Sequence, residues 1–166
     1  MVVLLASACA GQAAPTSNAS SRGNDDACTH LEQPDISAET AERLVRASNV
    51  VEYENIWRDD HPGATLGSVN SSAISALIRS KTADVQGCYE SALDKLPGGR
   101  GRVVTRFVID FSGKVRNVSI TSNDFQVPAV GCCLANHIAQ WAFPVPTNGE
   151  FVVVEYPFVV HVSNGK

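Results

Sequence analysis

Residues 102–111 alternate strictly. Val103, Thr105, Phe107, Ile109 and Phe111 fall on one side, and Arg102, Val104, Arg106, Val108 and Asp110 on the other. A period of two is the signature of a β-strand with one core face and one wetter face. Asp110-Phe-Ser-Gly-Lys114 then reads as a hairpin turn, with Gly113 taking the positive φ. Residues 115–121 return as a second strand. Its Val115, Val118 and Ile120 do not keep strict alternation, which predicts a bulge or an irregular start.

The flanking segments have a different period. From 73 to 96, Ile74, Leu77, Ile78, Val85, Cys88, Tyr89, Ala92 and Leu96 recur at threes and fours, one apolar face of a helix capped by Ser71 or Ser72. Pro97-Gly98-Gly99 ends it. A second helix starts near Pro128, whose fixed φ suits a first turn, and carries Val130, Cys133, Leu134, His137, Ile138 and Trp141 on one side. Residues 150–162 form a long β-prone run with Val152, Val154, Tyr156, Phe158, Val160 and Val162 on one face. Pro157 lacks a donor, so that strand needs an edge or a break there. The order helix-strand-strand-helix-strand predicts an α+β fold, two helices packed on one face of a small antiparallel sheet. Phe107, Phe158, Trp141 and Phe143 are expected in its core. Tyr89 and Tyr156 join them with hydroxyls reaching the rim.

Upstream of this unit the chain is less defined. Residues 10–35 are a polar, small-residue linker with almost nothing to bury. Residues 36–71 hold a weakly helical stretch over 37–57, with Ile36, Leu44, Val45, Val51 and Trp57 as its apolar positions, and then a breaker-rich link. That helix either docks on the core or is marginal alone. The 72–166 unit is the expected domain. Residues 1–70 carry four basic and ten acidic side chains, and residues 71–166 nine and seven, within a net charge of −4. Nothing reaches the positive density that tracks nucleic acid. No stretch approaches the ~18 apolar residues of a membrane-spanning helix. Residues 1–9, Met-Val-Val-Leu-Leu-Ala-Ser-Ala-Cys9, are an apolar run, small residues and a cysteine. They resemble the end of a bacterial lipoprotein signal, which implies export and lipidation of Cys9.

Cys88-Tyr89 late on an amphipathic helix, Gly101-Arg-Val-Val-Thr-Arg-Phe-Val-Ile109, Ser112-Gly-Lys-Val115, Cys133, Trp141-Ala-Phe-Pro144 and Tyr156-Pro-Phe158 follow one another in order. Over about residues 72–163 this set resembles the AgmX/PglI C-terminal domain family of myxobacterial envelope proteins, which is similar to the C-terminal domain of TonB-type transducers. The resemblance implies a non-catalytic periplasmic or outer-membrane-associated domain, some of whose relatives serve gliding motility. It implies contact with a partner by sheet-edge addition. In this chain the edge is the last strand, with Phe151, Val153, Glu155, Pro157, Val159 and His161 as its contact set. The partner expected is an unknown envelope protein or a second copy of the chain, with membrane contact only through a lipid on Cys9. The family has cysteines at the positions of both Cys88 and Cys133, which implies a bridge between the two helices in an oxidising compartment, against the alternative of two buried thiols. Cys132 points away from Cys133 on the helix, and Cys28–Cys132 is a possible second bridge.

Other chemistries are less supported. Cys133 and His137 are four apart on a helix, and Cys132, Cys28 and His30 are further metal-ligand candidates. Cys28-x-His30 is no zinc spacing, there is no Cys-x-x-Cys, and oxidised cysteines are not ligands, so no metal or cofactor is expected. Asp110, Asp124 and Glu155 fall on a turn, a loop and a strand with no reason to converge. Gly98-Gly-Arg-Gly101 lacks the preceding strand of a phosphate loop. No enzyme is expected. Arg102, Arg106, Lys114 and Arg116 on the hairpin are either a mild basic patch or a solvated strand face.

Overall fold

A computed structural model describes residues 36–93 and 100–161. Cys9, the 10–35 linker, Cys28, His30 and the 97–99 turn lie outside the described residues. The elements are α1 (Ala38–Arg46), α2 (Val50–Asp60), α3 (Ser71–Ser80), α4 (Thr82–Glu90), β1 (Arg100–Asp110), β2 (Val115–Asn123), α5 (Pro128–Ile138) and β3 (Phe151–His161). The three strands form one antiparallel sheet in the order β2-β1-β3. It is a small α+β unit with helices packed against a three-stranded sheet.

Hydroxyls and amides divide the helices. Ser37 caps α1 by accepting the Thr40 N–H at 3.1 Å. Asn49 accepts the Glu52 N–H at 2.9 Å and starts α2, so the 37–57 stretch is two helices rather than one. Asn70, not Ser71 or Ser72, caps α3 by accepting the Ser72 N–H at 2.9 Å. The long helix expected over 73–96 is also two. Lys81 leaves helical geometry (φ −99°, ψ 16°). On either side of it, Ser80 and Thr82 donate to the carbonyls of Leu77 and Arg79 at 2.6 Å. Such hydroxyls compete with the helical ladder and bend it.

Both sheet faces are covered, which corrects the expectation of helices on a single face. Val103, Phe107 and Ile109 of β1 and Val154 and Phe158 of β3 face the main core with Tyr89, Leu134, Ile138, Trp141 and Phe143. The other face was expected to be wetter. Instead Val108, Phe151 and Val153 pack there against Leu44, Tyr53, Ile56 and Trp57 of α1 and α2. From residue 103 to 110, β1 is buried throughout. Among the apolar positions read in 37–57, Leu44 and Trp57 are buried and Val51 is exposed, while Tyr53 and Ile56 supply the rest of the face. Phe111 is corrected too. It sits in the turn after β1, 69% exposed, because the alternation stops at Asp110. Tyr89 does not reach the rim; it is 2% exposed.

The bulge is present. The β1–β2 register shifts between Phe107 and Val108, where Asn117 is the extra residue, and again between Val104 and Thr105. Asn117 takes φ +41° and turns its amide inward, donating to the Tyr53 hydroxyl at 2.6 Å. The irregularity in β2 therefore adds a hydrogen-bonded tie between α2 and the sheet.

Gly113 takes φ +80° in the β1–β2 turn, and a Cβ there would lie 2.3 Å from the Phe143 carbonyl oxygen. Asp110 organises the same turn. Its Oδ1 accepts the Ser112 N–H (2.8 Å), the Ser112 hydroxyl (2.6 Å) and the Lys114 N–H (3.0 Å), and its Oδ2 accepts Arg116 Nε at 2.8 Å. Burial raises the carboxyl's pKa. The hydrogen bonds from Ser112, Arg116 and Lys114 outweigh it and hold the pKa below its ordinary 3.8. A depressed pKa stabilises the fold fully above the unfolded value, and the contribution disappears as pH falls through the folded value. Asp110→Asn is therefore expected to cost about 1–3 kcal/mol at neutral pH. The gap to wild type closes in urea titrations below about pH 4. A gap that persists unchanged at pH 2 would show that the charge is not its source.

Candidate functional site

The last strand lies at the sheet edge and pairs, in the ladder, with β1 alone. Phe151 fixes the direction of its backbone groups. Its N–H donates to Thr65 O at 3.2 Å and its carbonyl accepts the Gly67 N–H at 2.7 Å, both on the side away from β1. In an antiparallel ladder this direction alternates, so Val153, Glu155, Pro157 and Val159 also turn their backbone groups outward. Pro157 thus sits where its missing N–H removes no bond to β1. The first part of the edge is covered by residues 65–68. Gly67 and Gly149 approach so closely that a Cβ on Gly149 would lie 2.3 Å from Gly67 N.

The residues expected at the contact edge separate along the strand. Phe151 and Val153 are buried in the second core, so their side chains are not presented to a partner. Glu155, Pro157 and Val159 are exposed, Val159 by 60%. His161 pairs by backbone register with Arg100. On the opposite face Phe158 is buried and Tyr156 is half-buried, with ring centroids 5.0 Å apart.

Glu155 is not a free carboxylate. Its Oε2 accepts Arg106 Nε at 3.0 Å, and Arg106 Nη1 donates to the Ala47 carbonyl at 2.7 Å, just past α1. The Arg106 guanidinium also lies 5.6 Å from the Tyr53 ring centroid. Only 3% exposed, Arg106 is a buried tie between the edge strand and the α1–α2 pair rather than part of a basic patch. Arg116 is engaged with Asp110. Arg102 and Lys114 are exposed. The network around Arg106 was missed because alternation assigns Arg106 to the wetter face, and only α1–α2 makes that face an interior.

Cys88 of α4 and Cys133 of α5 form a disulfide with a Cα–Cα distance of 5.5 Å. Cys132 is also disulfide-bonded; the Cys28 reading lies outside the described residues. Beside the Cys88–Cys133 bridge stand two polar side chains from the same helices. His137 Nδ1 is 3.9 Å from Asp84 Oδ2, which also accepts the Trp141 indole N–H at 3.3 Å. Sulfurs and imidazole lie within 4.8 Å of one another. Asp84 carried no signal by itself in the sequence; its position four before Cys88 is the mark that places it here. Asp110 and Glu155 are each engaged in the separate networks described above.

These features define a small disulfide-tied α+β domain in which β2 and β3 are the edge strands of the sheet and the β3 edge is partly covered. No family model, curated protein or solved structure matches the chain. No helix among the described residues is long and apolar enough to cross a membrane.

Proposed function

We propose that this chain is a non-enzymatic, exported cell-envelope interaction module of the TonB C-terminal-like kind, as its resemblance to the AgmX/PglI family implies. It binds an extended segment of an envelope protein by adding it to the outer edge of β3. The observation that carries this reading is the edge position of β3, with outward backbone groups from Val153 to Val159. An incoming strand gains main-chain hydrogen bonds there. Exposed Val159 and Pro157 and half-buried Tyr156 and Val160 give it apolar contacts. Pro157 removes one donor in mid-edge, which discourages indiscriminate pairing. Lipidation of Cys9 would hold the module at a membrane surface.

Self-association is the second reading, since the same edge can pair with its own copy. Sedimentation at several concentrations separates the two. A monomer at all concentrations leaves the foreign partner.

Val159→Pro tests the edge. It removes an outward N–H and no bond to β1, so circular dichroism should be unchanged. Capture of specific partners from envelope extract by the full chain is expected to weaken about tenfold, the factor that one lost hydrogen bond of up to about 1.5 kcal/mol gives. If every specific partner remains bound as tightly, strand addition at β3 is wrong.

A further inference from the structure

A disulfide that only ties α4 to α5 needs two cysteines. Here each helix adds a second metal-ligating residue one turn away. Asp84 and Cys88 stand four apart on α4, and Cys133 and His137 four apart on α5. Residues at that spacing share a helix face. The two faces meet, so two sulfurs and one imidazole converge on one spot, with the Asp84 carboxylate beside the imidazole at 3.9 Å. We propose that reduction of the Cys88–Cys133 bond turns this spot into a tetrahedral site for Zn²⁺, with Cys88, Cys133, His137 and Asp84 as its ligands. Bridge and metal are mutually exclusive. The proposal goes beyond the interaction reading and does not rest on it.

Donor chemistry and distances agree. Zinc takes thiolate, imidazole and carboxylate donors at about 2.0–2.3 Å, so ligand atoms in a tetrahedral site stand about 3.3–3.8 Å apart. His137 and Asp84 are already 3.9 Å apart, and the sulfurs and the imidazole lie within 4.8 Å. The sulfurs, once released from each other, need only side-chain rotation to open to that spacing. The Trp141 indole N–H holds the Asp84 carboxylate in place, the kind of outer support that metal ligands receive. The side chains of His137 and Asp84 are 41% and 36% exposed, which gives an ion a way in.

The chemistry balances. A dithiol passes two hydrogens to the disulfide, leaving Cys88 and Cys133 as thiols and itself as a cyclic disulfide. Zn²⁺ then displaces the two thiol protons as it binds both sulfurs.

The test uses the full chain carrying Cys132→Ser, so that only one cysteine pair at this spot responds. The protein is reduced with a dithiol, freed of reductant without oxygen, and titrated with Co²⁺ and then Zn²⁺. One Co²⁺ per chain is expected, with thiolate charge-transfer and tetrahedral ligand-field bands that Zn²⁺ abolishes. The oxidised chain shows neither band. His137→Ala and Asp84→Asn are each expected to weaken uptake about tenfold or more. Uptake indifferent to both substitutions, or no tetrahedral bands, overturns the proposal. If reduction alone erases the helical circular dichroism, Zn²⁺ is expected to restore it. A reduced chain that stays unfolded in saturating Zn²⁺ overturns the proposal as well.

Discussion

Trp57→Ala is expected to destabilise the whole described unit by about 3–5 kcal/mol, the usual cost of emptying a buried aromatic site. Trp57 is 4% exposed, stacks on His61 at 4.2 Å and lies 6.4 Å from the Phe151 ring. The loss should appear as one cooperative urea transition at a lower midpoint, not as selective melting of α1 and α2. The reason is the sheet. Val108 packs in the second core while its neighbour Phe107 packs in the first, so the two cores share β1. Arg106 strengthens the attachment of α1 and α2 to the sheet by joining Ala47 to Glu155 on that face. Urea unfolding followed by both circular dichroism and tryptophan fluorescence checks this. Two separated transitions in the wild-type chain, with Trp57→Ala shifting only the first, would mean that α1 and α2 are an independent attachment.

Removal of the helix–helix bridge is the second large effect. Cys88→Ala with Cys133→Ala is expected to cost about 3–4 kcal/mol, the loop-closure contribution for a bridge spanning 45 positions. Cys88 is 1% exposed, so alanine there also leaves a small void. The closed loop contains β1, β2 and the start of α5, so its entropy bears on the hairpin as well as on the helices. Thermal unfolding under oxidising conditions measures the loss. The same comparison in a reducing, metal-free buffer should bring wild type and variant close together. If wild type keeps its full advantage there, the stabilisation comes from packing of the two side chains and not from the covalent link.

Much of the main core was legible because it depends on local period. Phe107, Ile109, Leu134, Ile138, Trp141 and Phe158 are buried where alternation or helical spacing places them. The irregular β2, the positive φ at Gly113 and the helix start at Pro128 follow from backbone chemistry that one or two residues dictate. The break at Lys81 was less visible, since the apolar spacing continues through it while Ser80 and Thr82 divert two carbonyls. The second core was not legible. Tyr53 and Ile56 lie in a polar stretch, and their partners Val108, Phe151 and Val153 belong to strand faces expected to be open.

The residues alone specified the strands, the helix faces and the donor-free position at Pro157, because each is a property of a few neighbouring side chains and their period. Only the tertiary structure decided that α1 and α2 cover the second sheet face, that Arg106 is buried, and that Asp84 and His137 stand beside the Cys88–Cys133 bridge. Those outcomes depend on which segments, far apart in the chain, share a surface when both faces of the sheet are withdrawn from water. A local pattern does not carry that information.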